Sequence, residues 1–153
     1  MTRTAPSPAG GTLDPDLSTR LDALRGALGA SQRVDDPYWQ ARWEGELQLV
    51  GLDARTRATG DVRQRLTRLV HELDLRHMAP RARRVVAVLL CAPRDDEGLD
   101  GWLARLAVDR GEVGSAWEPV RPRITVVVQD EAGGLRVHGR EPLRSEVARA
   151  AEP

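Results

Sequence analysis

The chain has 153 residues with 23 basic and 23 acidic side chains, and its formal net charge at pH 7 is zero. It contains no lysine, which excludes the lysine of a Walker A phosphate loop, the Schiff-base lysine of a pyridoxal enzyme and the strand lysine of a kinase. One cysteine permits no intramolecular disulfide, and the longest apolar run, residues 85–92, is far shorter than the ~20 residues of a spanning helix. We therefore expect a cytoplasmic protein that makes no membrane contact and needs no cofactor.

The N-terminal segment divides into a tail and a helix. Residues 1–12 (MTRTAPSPAGGT) are rich in small residues and proline, and they predict a flexible tail. A helix is predicted over residues 15–28, because Asp14 suits its N-cap, Pro15 its first turn and Gly29 its exit. Four leucines form one stripe at helical spacing: Leu17, Leu21, Leu24 and Leu28.

The segment that starts at DDPYW predicts a second helix, with Asp36 as its cap and Pro37 just inside it. Four apolar residues share one face of that helix: Trp39, Trp43, Leu47 and Val50. Gly45 and Gly51 disfavour it, since a glycine costs about 0.5–1 kcal/mol relative to alanine inside a helix. The alternative is a strand over residues 46–52 (ELQLVGL), and the apolar spacing favours the helix.

A third helix is predicted over residues 61–75 from apolar side chains at buried-face spacing: Val62, Leu66, Leu69, Val70 and Leu73. The valine-rich run over residues 84–91 has the length and β-branching of a strand covered on both faces. A further helix is expected over residues 99–110, followed by an extended segment (SAWEPVRPR). ITVVVQ and LRVHG, joined by DEAGG, predict a hairpin, and a last helix follows over residues 142–151.

The predicted fold class is α+β, with a helical N-terminal half packed on a small mixed three-stranded sheet. That sheet belongs to a β-α-β-β-α C-terminal half in which strand 84–91 runs parallel to strand 123–129. After the tail, residues 13–152 are expected to form a single domain, with a helical part over 13–78 and the β-α-β-β-α part over 82–151. The N-terminal helices are expected to cover one face of the sheet.

Cys91 ends the valine-rich strand, which is where open α/β sheets place their ligands. A cysteine nucleophile also needs a histidine base, and the candidates are His71, His77 and His138. No nucleophile motif surrounds the thiol, and the acidic turn at residues 95–97 disfavours a thiolate. The favoured interpretation is therefore a buried core cysteine.

HELDLRH resembles a metal motif, but its two histidines, at 71 and 77, are six residues apart. On a helix that spacing separates them by about 120°, whereas a zinc-binding pair lies one turn apart on one face. No Ser–His–acid set is legible in the chain. We therefore predict no metal site and no catalytic residue.

Charge is segregated along the chain. Residues 53–84 carry nine arginines against four acids, a balance of +5, whereas residues 91–131 carry five arginines against nine acids, a balance of −4. Arginine clusters are typical of phosphate-backbone binding, but net charge is near zero and no nucleic-acid motif is present. Arginine is also enriched at protein interfaces, because its planar fork pairs with carboxylates.

The leading hypothesis is a non-catalytic adaptor or accessory module that binds another protein or a second copy of itself. Its acidic turn is a second candidate docking surface. The candidate partner-binding residues are Arg57, Arg63, Arg65, Arg68, Arg81, Arg83, Arg84 and Trp117. Two alternatives remain open: a nucleic-acid accessory protein that uses the arginines of residues 55–84, and a small cysteine-dependent hydrolase or transferase that uses Cys91.

Overall fold

The computed structural model describes the fold outside a few segments. The described residues are 13–75, 84–91, 98–106, 109–113, 116–120, 124–131, 133–139 and 143–152. The helices are α1 (Pro15–Leu28), α2 (Thr59–Leu75), α3 (Leu99–Leu106) and α4 (Leu143–Ala151). The strands are β1 (Ala30–Arg33), β2 (Ala41–Gly45), β3 (Gln48–Asp53), β4 (Val85–Cys91), β5 (Asp109–Val113), β6 (Ala116–Val120), β7 (Ile124–Asp130) and β8 (Leu135–Gly139).

The main sheet has six strands in the order β1-β2-β3-β4-β7-β8, and β5 and β6 form a separate antiparallel pair. The three central strands are parallel, while β1, β2 and β8 run antiparallel to their neighbours. The α+β class is confirmed, but the predicted small three-stranded sheet is wrong because the N-terminal half contributes three strands of its own. The parallel pairing of strands 84–91 and 123–129 is confirmed, from Val85 opposite Ile124 to Cys91 opposite Asp130.

Helices cover both faces of the sheet. On one face α2 and α3 bury a core, here called the α2–α3 core, through Val62, Leu66, Leu69, Val70, Leu73, Leu99 and Leu103. On the other face α1 and α4 bury the α1–α4 core through Leu17, Leu21, Leu24, Leu28, Leu143, Val147 and Ala151. The expectation that the N-terminal helices share one face is therefore wrong, since α1 and α2 lie on opposite faces.

The first helix matches its prediction, and its end signals explain why. The Asp14 carboxylate accepts hydrogen bonds from the Asp16 and Leu17 amides, which have no partner within the helix. Gly29 ends α1 with φ at 77°, a left-handed conformation that glycine adopts without a Cβ penalty. The predicted tail over residues 1–12 lies outside the described residues.

The predicted second helix is wrong, because that segment forms a loop and the strands β2 and β3. Trp39 and Val50 pack in the α2–α3 core, whereas Trp43 and Leu47 pack in the α1–α4 core. The four residues therefore lie on opposite faces of a sheet, and their helical spacing is a coincidence. A Cβ on Gly45 would lie 2.1 Å from the Gly29 carbonyl oxygen, so this glycine permits a close backbone approach.

Candidate functional site

The solvent-facing side of α2 carries an uncharged stripe. Its residues recur at i, i+4, i+7 and i+11 and thus share one face: Gly60, Gln64, Thr67 and His71. All four line a groove of about 870 Å³ together with Tyr38, Asp61, Arg63, Arg65, Arg68 and Trp102. This set, here called the α2 groove, brings together side chains from the loop before β2, from α2 and from α3.

Two arginines of the α2 groove stack on aromatic rings. The Arg63 guanidinium lies 5.4 Å from the centre of the Trp102 ring, and the Arg68 guanidinium lies 4.1 Å from the centre of the Tyr38 ring. Such stacking holds a guanidinium by cation–π attraction and leaves its N–H edge free to donate hydrogen bonds. Within the described part of the chain, neither arginine pairs with a carboxylate, and the Arg63 Nε has no hydrogen-bond partner.

The Tyr38 and Trp102 rings are half-buried, and both pack against the α2–α3 core. Each ring therefore has one side on the protein interior and a guanidinium over its face. Five residues separate the two arginines, which places them about 140° apart around the helix at 100° per residue. Arg63 and Arg68 consequently form two cationic walls with the uncharged stripe between them.

Arg65 also lies in the groove, but it is committed to the fold. Its Nε lies 3.1 Å from the Asp61 carboxylate, and its Nη1 donates a hydrogen bond to the Tyr38 carbonyl oxygen. Only 11% of the side chain is exposed. Arg65 therefore supports the Tyr38 wall, and its role in partner binding stays a prediction.

The other predicted residues lie elsewhere. Arg57 forms an ion pair with Asp61 at 3.6 Å, and Arg84 forms one with Glu146 of α4 at 3.6 Å on a largely buried side chain. Neither lines the α2 groove. Trp117 lies in β6, and its side chain falls outside the described part of the chain, as do Arg81 and Arg83.

The Tyr38 wall depends on a buried ion-pair cluster that the sequence analysis missed. Arg42 on β2 is 2% exposed, and its guanidinium donates to four side chains: Asp36, Glu44, Gln48 and Glu72. Asp36 in turn accepts hydrogen bonds from the amides of Tyr38 and Trp39. The signal available in the sequence was Asp36 itself, because its carboxylate makes the hydrogen bonds of a helix cap while closing a turn.

A second charged cluster lies at the carboxyl end of β3. The Arg55 side chain donates two hydrogen bonds to the Asp53 carboxylate, at 2.9 and 2.6 Å, and lies within 3.6 Å of Asp14 and Glu131. The hydrogen bond from Arg55 lowers the pKa of Asp53 below its ordinary value, and partial burial only partly opposes that shift. The cluster ties α1, β3 and the β7–β8 turn together.

Cys91 lies in the α2–α3 core and is 5% exposed. It borders a narrow cavity of about 20 Å³ that is also lined by Arg57 and Arg63. His138 contacts Asp100 at 3.1 Å, and His71 lines the α2 groove. The described residues include no cluster of three or more potential metal ligands and no helix long and apolar enough to cross a membrane.

Comparison with known proteins gives no relative: no protein-family model, no curated protein and no solved structure matches this chain.

Proposed function

We propose that this protein is a non-catalytic adaptor that docks another protein in the α2 groove. One observation carries the proposal: Arg63 and Arg68 stand on the two sides of an exposed stripe, each stacked on a ring and neither paired with a carboxylate among the described residues. Arginine and aromatic side chains are the residues most enriched at the energetic centres of protein interfaces. Stacking also reduces the rotamer freedom that each arginine loses on binding.

Nucleic acid is the second candidate, because guanidinium forks also bind phosphates. The rings favour a protein partner. Single-stranded nucleic acid gains affinity by stacking its bases on exposed aromatic faces. In the α2 groove each ring has the core on one side and an arginine over its face, so a base can stack only by displacing that arginine.

The third candidate is a hydrolase or transferase that uses Cys91. The thiol is 5% exposed, and its neighbours in the adjoining cavity are chiefly apolar and arginine side chains. Buried structural cysteines of this kind are inert unless the protein opens. We therefore propose that Cys91 is a core residue and not a nucleophile.

The docking proposal is tested by affinity capture from the source cells with tagged wild-type protein and with the Arg63→Glu/Arg68→Glu variant. The matched control is Arg144→Glu/Arg149→Glu, which makes the same charge change on exposed positions of α4, across the sheet from the groove. We expect a stoichiometric protein that survives nuclease treatment, is lost with the groove variant and is kept with the control.

Two results would contradict the proposal. Loss of all captured material on nuclease treatment would assign the arginines to nucleic acid. Equal capture by the wild type and the groove variant would remove the α2 groove from the interface. Circular dichroism of each variant verifies that the fold is unchanged.

A further inference from the structure

The α2 groove also indicates the chemistry of its occupant. We infer that the partner inserts an extended acidic segment, with its backbone along the uncharged stripe and its carboxylates paired with Arg63 and Arg68. This inference rests on the proposed docking function and adds the nature of the docked segment. Three properties of the groove support it: its charge, the geometry of its walls and the space over Gly60.

The charge of the groove selects a carboxylate partner. Among the described residues that line it, Asp61 is the one acid, and Asp61 is already bound to Arg65. The remaining formal charges of these described lining residues belong to Arg63 and Arg68. Each presents a planar fork, and a carboxylate fills such a fork with two parallel hydrogen bonds.

The walls fit an extended chain better than a helix. From Gly60 to His71 the stripe is about 16 Å long at 1.5 Å per residue, a span that about five residues of extended chain cover. Successive side chains of an extended chain point to opposite sides. A run of acidic residues along the stripe therefore presents carboxylates to both walls. A docked helix would instead direct the carboxylates of one face toward a single wall.

Gly60 provides the space for a backbone at the N-terminal end of the stripe. A Cβ added there would meet no heavy atom within 4 Å. We expect a tryptophan at this position to occupy the groove, since its Cβ would stand in open space. Gly26 on α1 offers a matched control, because it is also an exposed helical glycine with open space around its Cβ position.

The test is a titration of the purified full chain with a labelled, capped hexa-aspartate peptide, read by fluorescence anisotropy at low salt. Hexa-asparagine, single-stranded oligothymidylate and inorganic phosphate are the comparison probes. We expect saturable hexa-aspartate binding and no hexa-asparagine binding. Binding should weaken about tenfold or more in Arg63→Glu/Arg68→Glu, since two partly exposed ion pairs are replaced by repulsion.

The steric part is tested with Gly60→Trp, which should weaken hexa-aspartate binding, and with Gly26→Trp, which should leave it unchanged. The emission of Trp102 provides a local readout. Of the other described tryptophans, Trp39 and Trp43 are buried. Binding at Arg63 should therefore change the Trp102 signal, and that change should be absent in Trp102→Phe.

Failure of the inference is distinguishable from failure of the docking function. Suppose that cells yield a partner that is lost with Arg63→Glu/Arg68→Glu while hexa-aspartate does not bind. In that case the docking function stands, and the inference of an acidic segment is wrong. Equal or tighter binding of oligothymidylate would overturn both in favour of nucleic acid. If phosphate displaces the peptide and oligothymidylate does not bind, the inference of carboxylates is wrong, and the partner's docked segment carries phosphorylated side chains.

Discussion

The Arg42 guanidinium lies 2.6 Å from the Asp36 carboxylate, and both side chains are buried, with 2% and 6% exposed. Asp36 uses its other oxygen to hold the Tyr38 amide, and the Tyr38 ring carries the Arg68 guanidinium. A buried ion pair thus connects the strand β2 to one wall of the α2 groove. The pair matters most when one partner is removed, because the other is left as an uncompensated buried charge.

Arg42→Ala should therefore destabilise the fold by about 3–5 kcal/mol, the range for breaking a buried ion pair on one side. Arg144→Ala on the exposed face of α4 is the control, and it should change the free energy of unfolding by less than about 0.5 kcal/mol. Urea unfolding followed by circular dichroism measures both. An Arg42→Ala midpoint equal to that of the wild type would contradict the role given to this cluster.

The stability contributed by the Asp53–Arg55 pair should depend on pH. The Arg55 hydrogen bond lowers the pKa of Asp53 below 3.8, so the folded protein binds this proton less readily than the unfolded chain. The contribution is fully present above that ordinary value and disappears as the pH falls through the lowered pKa. Asp53→Asn, which keeps an oxygen acceptor but removes the charge, should be less stable than the wild type at pH 7.

The difference in unfolding free energy between the wild type and Asp53→Asn should shrink steadily below pH 3.8. Urea titrations at pH 7, 5 and 3 follow it. A difference that grows on acidification would reverse the sign of the linkage and contradict the ion pair.

Two glycine substitutions should act in opposite directions. A Cβ on Gly51 of β3 would lie 2.4 Å from the Leu21 Cδ1 of α1, inside the α1–α4 core, so Gly51→Ala should destabilise by about 1–3 kcal/mol through overpacking. Gly26→Ala on α1 meets open space and should stabilise by about 0.5–1 kcal/mol, because alanine loses less backbone entropy in a helix. Thermal unfolding distinguishes the two, and a neutral Gly51→Ala would show that α1 packs less closely on β3.

Cys91 should react with a thiol reagent only when the protein unfolds. The thiol is 5% exposed within the α2–α3 core, so access requires opening of that core. Labelling by a chromogenic disulfide at neutral pH should be slow in buffer and fast in denaturant. Rapid, stoichiometric labelling of the native protein would instead support the cysteine-dependent enzyme.

Local signals in the sequence predicted several elements of the fold. Asp14 and Gly29 mark the two ends of α1. The apolar side chains of α2 recur at helical spacing, and β4 is a continuous valine-rich run, so each segment shows its buried residues in its own sequence. The predicted hairpin is also confirmed, since β7 and β8 pair as antiparallel neighbours. These elements are readable because the forces that form them act within a few residues.

The strands β1 and β2 were not predicted, and β3 matches only the alternative strand over residues 46–52, because their pairing joins segments whose patterns resemble other structures. β1 is short, and three of its four residues are exposed, so no apolar alternation marks it. β2 buries three consecutive residues of its five and β3 five of its six, which removes the alternation that distinguishes a strand. The helical spacing of Trp39 and Trp43 therefore favours a helix in the sequence, although the segment forms strands.

The candidate site was predictable only in part. The sequence shows that α2 is rich in arginine, and Arg63 and Arg68 do line the groove. It does not show which arginines are already paired: Arg57, Arg65 and Arg84 each form an ion pair within the fold, and their role in partner binding stays a prediction. The rings that hold Arg63 and Arg68 come from distant segments, so tertiary packing alone brings them to the groove.

The most direct test of the docking surface is photo-crosslinking in the source cells, with a benzophenone amino acid placed at Gln64 in the uncharged stripe or at Arg144 on α4. Both positions are exposed, and they lie on opposite faces of the sheet. The docking account predicts one nuclease-resistant protein crosslink from position 64 and none from position 144. Equal crosslinking from both positions, or a nucleic-acid adduct at position 64, would contradict it.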